Sequence, residues 1–287
     1  MLAALIASLL LLPAGDIQVA PQELRVRLVE LINTDRKAAG LGPVEYSDEL
    51  SEAANAHCRE MLEGNYASHW NREGWKPYLR YAAAGIRDVT SENIHALWST
   101  DFREGQLGDA VAEGHRGFME EQPPNDGHRK SVLGERHTHV GIGIAHNHRG
   151  LRLIEVFGGR YAELDPLPIR AKLKDDLSVS GRLLRSSGKV LGIAVYYEPL
   201  PQTMNRAELR STSSYALPRE EHWERPRLEM ARYVDGSQGT VRIAGQSFQV
   251  PLNFWKGKPG VYTVAVWIDP GGKPSFVGAM TSILVEQ

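Results

Sequence analysis

The spacing of apolar residues changes from a helical period to a strand period along this chain, which limits the folds open to it. Leu24, Leu28, Leu31 and Ile32 share one face of a helix predicted over residues 21–39 and stopped by Gly40. Ser47, followed by Asp48 and Glu49, caps a second helix with Leu50, Ala54, His57 and Met61 on one face, ending at Gly64. Pro77 opens a short helix over 78–84, and Val111, His115 and Phe118 place another over 108–119. The apolar stretch 94–98 reads as a strand. Then the period becomes two: Val140, Ile142 and Ile144 alternate with Gly141 and Gly143, and a second alternating run, 151–157, makes a β-hairpin. Helices first and a small antiparallel sheet last is the order of an α+β domain.

Residues 161–170, with Pro166 and Pro168, read as a linker, and 171–287 as a second domain; 287 residues suit two domains better than one. Strand-like runs at 177–184, 190–197, 239–243, 248–254, 261–268 and 276–285, separated by turns such as Ser187-Gly188, predict a β-sandwich. Gly260-Val261-Tyr262-Thr263-Val264 resembles the tyrosine-corner strand of immunoglobulin-like domains. The polar stretch 199–232 is a long insertion that is not easily placed in a sandwich and reads as a binding loop or a poorly ordered segment. No catalytic constellation stands out in this half; Trp223, Trp255 and Trp267 read as packing residues.

Residues 1–12, MLAALIASLLLL, are too few to span a bilayer and resemble the apolar core of a signal peptide, expected over 1–20. A basic start is missing, so a truncated start or a buried helix are the other readings. A net charge of −2 gives no reason to expect nucleic acid. Cys58 is the single cysteine, which excludes an intrachain disulfide and suits an extracytoplasmic bacterial protein. As a thiol nucleophile it is a poor candidate, because a lone cysteine on a helix usually packs as a small hydrophobe.

Pro123-Pro124-Asn125-Asp126-Gly127 forces a turn, and His128 leaves it held by backbone. His69, in the loop 65–75, and Glu92, beside Asn93, are its expected partners. His57 lies near a core face and reads as structural. The remaining histidines (95, 115, 137, 139, 146, 148 and 222) have no such setting, and 137, 139, 146 and 148 are expected in exposed loops.

Asn33, Arg36, Gly40-Leu41, Ala53, Ala54, His57, Ser68-His69, Glu92-Asn93, Gly127-His128-Arg129, Leu133 and Val140-Gly141-Ile142-Gly143 occur in order over 21–157. Together they resemble the CAP superfamily (cysteine-rich secretory proteins, antigen 5 and pathogenesis-related 1; the SCP domain), in its bacterial branch. The resemblance implies a three-layer α-β-α sandwich over 21–160, with a cleft of two histidines and two glutamates that holds zinc in some members. On this chain the cleft residues become His69, Glu92, His128 and, counted from Phe118, Glu121, with Glu120 and Glu113 as weaker alternatives. His69 and His128 would be the metal ligands. Two neutral imidazoles suit zinc, and a carboxylate could be a third ligand or a general base; the same residues could instead form a buried hydrogen-bonded network.

Two function classes follow. The first is a secreted binding module, holding a metal, lipid or peptide in the cleft and meeting a cell-surface partner through the C-terminal domain. The second is a metal-assisted, peptidase-like hydrolase using the same cleft. The first is favoured, since no nucleophile or oxyanion donor is identifiable.

Overall fold

The computed structural model describes residues 16–184, 188–212 and 214–287. The expected signal sequence therefore lies outside the described residues up to residue 15, as does Ser187 of the Ser187-Gly188 turn. The first unit runs β1 (Gln18–Val19), α1 (Gln22–Ala38), β2 (Glu45–Tyr46), α2 (Asp48–Glu63) and α3 (Pro77–Ala83). After these come β3 (Val89–Trp98), α4 (Leu107–Glu120), α5 (Gly127–Val132), β4 (His139–Asn147) and β5 (Gly150–Gly159). Its sheet has the order β1-β4-β5-β3, with β2 on β4, so β3 is an edge strand.

Alternation along β4 and β5 divides the apolar residues between two cores. Val140, Ile142, Ile144, Leu151 and Leu153 pack with Leu28, Ile32 and Val111 of α1 and α4. Ile154 and Val156 pack with Leu50, Ala54, Cys58 and Met61 of α2. The glycines of β4 explain how α2 comes so close. A Cβ at Gly141 would lie 2.3 Å from Leu50 Cβ, and one at Gly143 would lie 2.5 Å from the Ala54 carbonyl carbon. This approach lets Ser51 and Asn55, one helical turn apart, accept the Ile142 and Ile144 amides at 2.9 and 2.8 Å.

The second unit begins at once, without a spacer. Residues expected as linker contain β6 (Ala162–Leu164) and the start of β7 (Arg170–Lys172). They are followed by β8 (Ser178–Leu183), β9 (Lys189–Glu198), α6 (Arg206–Ser211) and β10 (Glu221–Glu224). The chain closes with β11 (Arg242–Ala244), β12 (Ser247–Pro251), β13 (Gly260–Asp269) and β14 (Phe276–Glu286). Two sheets, β10-β9-β13-β14-β7 and β11-β12-β8-β6, share one apolar core that includes Val179, Phe248, Val250, Tyr262 and Ile283. The prolines at 166 and 168 punctuate strands of this unit instead of separating domains.

Three expectations need correction. Glu92 and Asn93 stand within β3, not before it. His139 and His146 are buried, because their strand extends further than its apolar run; His139 meets Asp88 at 2.8 Å, and Arg160 closes on the same carboxylate. His115 is buried between Glu155 (2.8 Å) and Asp35 (3.0 Å), which raise its pKa against the opposing effect of burial.

Residues 199–212 and 214–217 belong to a strap that leaves β9, crosses the first unit and returns to β10. Met204 donates to the Arg72 carbonyl at 2.8 Å, and Leu209 is buried in the α2 core. Arg210 donates to the Asn65 carbonyl at 2.7 Å. The units also share an apolar contact in which Tyr78 and Leu79 of α3 pack with Ala194, Val261, Met280 and Leu284. A chain ending at residue 160 is accordingly expected to unfold at lower urea than the full chain and to bind a hydrophobic dye. A fragment matching the full chain in both measurements would show this contact to be dispensable.

Candidate functional site

Helix α2 positions the loop that carries His69. His57, buried on α2, donates from Nε2 to the Ser68 carbonyl at 2.8 Å. One turn on, Glu60 accepts the Tyr66 hydroxyl at 2.7 Å and the Arg72 amide at 2.8 Å. Burial would raise the Glu60 pKa, but the nearby His57 ring and these two bonds outweigh it and hold the carboxyl at about 2. The loop is thus tied down on both sides of His69.

Helix α3 and strand β3 supply the other half. Glu92 is buried, and its carboxylate accepts from His69 Nδ1 at 2.8 Å, from Arg80 Nη2 at 2.9 and 2.8 Å, and from the Tyr81 hydroxyl at 2.5 Å. Arg80 also donates to the His69 carbonyl. Burial pushes the Glu92 pKa up, but Arg80 and His69 overcome it and hold the carboxyl well below the usual range. Because an anionic Glu92 can only accept, His69 carries its proton on Nδ1, which leaves Nε2 unprotonated in the neutral ring. Arg80 and Tyr81 belong to a plain helical run, PYLRYAA, so nothing local marked them as partners of Glu92.

His128 stands at the start of α5. Its ring Nδ1 meets Glu121 Oε1 at 2.5 Å, and its amide donates to Glu121 Oε2 at 2.8 Å. Phe118 lies against the ring at 4.8 Å between centroids. Glu113 pairs instead with Arg116, and Glu120 is exposed. Both histidine–glutamate pairs attach to the same stretch of β3: Glu92 belongs to it, and Asn93 donates to the His128 carbonyl at 3.0 Å.

The four residues form two separate pairs. Among the described residues no group of three or more histidine, cysteine or acidic side chains is placed to hold a metal ion. Arg80 already neutralises the Glu92 carboxylate, so Glu92 does not fit the role of a third ligand to the expected zinc, since a dication there would face a guanidinium. Cys58 is buried, and burial, then the charge of Glu92, pushes its thiol pKa up, far from a nucleophile's range.

The site's unforeseen member comes from the second unit. Tyr215, on the strap, lays its ring 4.6 Å from that of His69, and its hydroxyl accepts the Glu92 amide at 2.9 Å. That amide points off the open edge of the sheet. No sequence signal links residue 215 to a cleft built 123 positions earlier.

Residues 29–158 match the model of the cysteine-rich secretory protein family, CAP. The chain is 30% identical over 118 residues to the uncharacterized protein YkwD of Bacillus subtilis (strain 168), covering 41% of this chain and 40% of that one. It is 27% identical over 121 residues to the uncharacterized membrane protein YlbC of the same organism, covering 41% and 30%. The chain thus spans less than half the length of these relatives. Among solved structures, an extracellular protein containing a SCP domain from Bacillus anthracis str. Ames aligns with TM-score 0.39 and 20% identity over 48% of this chain and 41% of that one. An outer surface protein from Borrelia burgdorferi aligns with TM-score 0.40 and 17% identity over 51% and 98%.

Two outcomes follow. Arg80→Met should destabilise the protein by about 3–5 kcal/mol in urea titration, since it strands a buried carboxylate, and Glu92→Gln in the same chain should recover part of the loss. Additive losses would show that the two side chains do not interact. The Glu60 carboxyl has a folded pKa depressed from 4.5 to about 2, so its contribution is present above pH 4.5 and is lost as pH falls towards 2. Glu60→Gln should therefore flatten the acid limb of the stability curve over that window, by up to about 3 kcal/mol; an unchanged limb would remove Glu60 from the account.

Proposed function

We propose that the chain is an extracytoplasmic binding protein whose cleft around His69 and Glu92, with His128 and Glu121 beside it, holds a ligand and carries out no reaction on it. The observation that supports this reading is the saturation of Glu92. A general base needs a lone pair facing the substrate and a pKa near the working pH. Glu92 instead spends its oxygens on Arg80, Tyr81 and His69 and is held anionic, which makes it an anchor for the histidine. The extracytoplasmic setting rests on the apolar start of the sequence and on relatives described as extracellular or outer-surface proteins. Among the described residues no helix is long and apolar enough to cross a membrane.

The architecture belongs to the same proposal. Helices on both faces of the first sheet support the three-layer α-β-α sandwich of the CAP domain. The Tyr262 hydroxyl, bonded to the Lys258 carbonyl at 2.9 Å, supports an immunoglobulin-like second unit through its tyrosine corner. This second unit is the candidate for meeting a cell-surface partner.

The hydrolase alternative is tested with fluorogenic peptide and ester substrates, with and without added zinc. The full chain is expected to show no turnover above that of its His69→Ala variant. Saturable turnover that disappears in that variant would establish the hydrolase.

A further inference from the structure

The strap does more than pass over the cleft. Between α6 and β10, residues 212 and 214–217 lie outside helix and strand, and the first unit meets the carbonyls of 212, 214 and 216. Ser68 Oγ donates to the Thr212 carbonyl at 3.4 Å, Trp70 Nε1 to that of Ser214 at 2.9 Å, and Lys76 Nζ to that of Ala216 at 3.3 Å. All three donors lie in the loop that carries His69. Carbonyls taken on either side of Tyr215, at 214 and 216, are the pattern of an extended chain read along one side. Between these contacts Tyr215 is the side chain that enters, against His69 and over the Glu92 amide. Leu217 then packs with Tyr78 and Leu79.

We propose that residues 214–217 occupy the cleft as a tethered stand-in for its ligand, and that the ligand is an extended peptide with an aromatic side chain; this rests on the cleft being a binding site. The donors decide the class. Three N–H or O–H groups placed on the backbone carbonyls of 212, 214 and 216 suit a peptide, whereas an acyl chain offers them no acceptor. The edge strand adds an unpaired amide of the kind that peptides and tyrosine hydroxyls both satisfy. The strap also leaves space at its entry: a cavity of about 510 Å³ lies between residues 199–204 and Trp70, Lys76 and Tyr78. Leu209, buried in the α2 core, and β10 hold the segment on either side, so the part around Tyr215 can lift while Leu209 stays in place.

A tethered segment competes at an effective concentration in the millimolar range, which masks the site from micromolar peptide. The test uses the full chain, its Tyr215→Ala and Tyr215→Ser variants, and Tyr215→Ala combined with His69→Ala. Each is titrated with a dye-labelled free peptide, Ser-Thr-Ser-Ser-Tyr-Ala-Leu-Pro, and separately with phosphatidylglycerol vesicles. Thermal melts and the exchange rate of the Glu92 amide report whether each chain is folded and the strap released. Folded Tyr215 variants should bind the peptide at least about tenfold more tightly than the parent chain, because the competitor has lost its anchor. Adding His69→Ala should remove the gain. A folded, released variant that gains affinity for the vesicles alone would overturn the peptide and keep the cleft as a binding site. No gain for either probe would overturn the stand-in and, with it, the binding reading. A Glu92 amide that exchanges no faster in the variants would overturn the seating of Tyr215.

Discussion

A carboxylate removed from water costs several kcal/mol unless charge and hydrogen bonds replace the lost hydration, and Glu92 is such a carboxylate. The cleft is arranged around meeting that cost. Arg80 supplies the charge, Tyr81 and His69 supply hydrogen bonds, and Arg80 reaches on to the His69 carbonyl. One acidic side chain thereby fixes a helix, a strand and a loop with respect to one another. The imidazole is oriented as a by-product of electrostatic compensation, with Nδ1 held on the carboxylate.

The protein repeats this solution elsewhere. His139 with Asp88 and Arg160, and His115 with Glu155 and Asp35, are buried or half-buried pairings of imidazole with carboxylate. Their recurrence argues that the combination is a structural habit of this sheet as much as a mark of function. What separates the His69 pair is its position on the open edge, where backbone groups lack a neighbouring strand.

Periodicity carried most of the fold. The three long helices and the hairpin of the first unit were legible because each buries one face against a sheet, which leaves a repeat in the sequence. Most strands of the second unit were legible for the same reason. β6 and β7 were not, because three-residue strands are too short to show a period and proline dominated the reading of 161–170. In the site, His69, Glu92, His128 and Glu121 were reached through ordered motifs. Arg80, Tyr81 and Tyr215 were invisible, because a partner for a buried charge is chosen by proximity in space, which a helix such as PYLRYAA or a polar insertion does not advertise.

The strap leaves β9 after Glu198 and re-enters the sheet at Glu221, which pairs with Tyr196 on the adjacent strand. Its ends are thus pinned about 5 Å apart, the spacing of neighbouring strands. Topologically it is a hairpin connection grown long, and such a connection can gain, lose or exchange residues without shifting any strand register. The two cores can therefore stay constant while the covering of the cleft drifts, so that related chains built on one scaffold could differ in what they admit by altering a single loop.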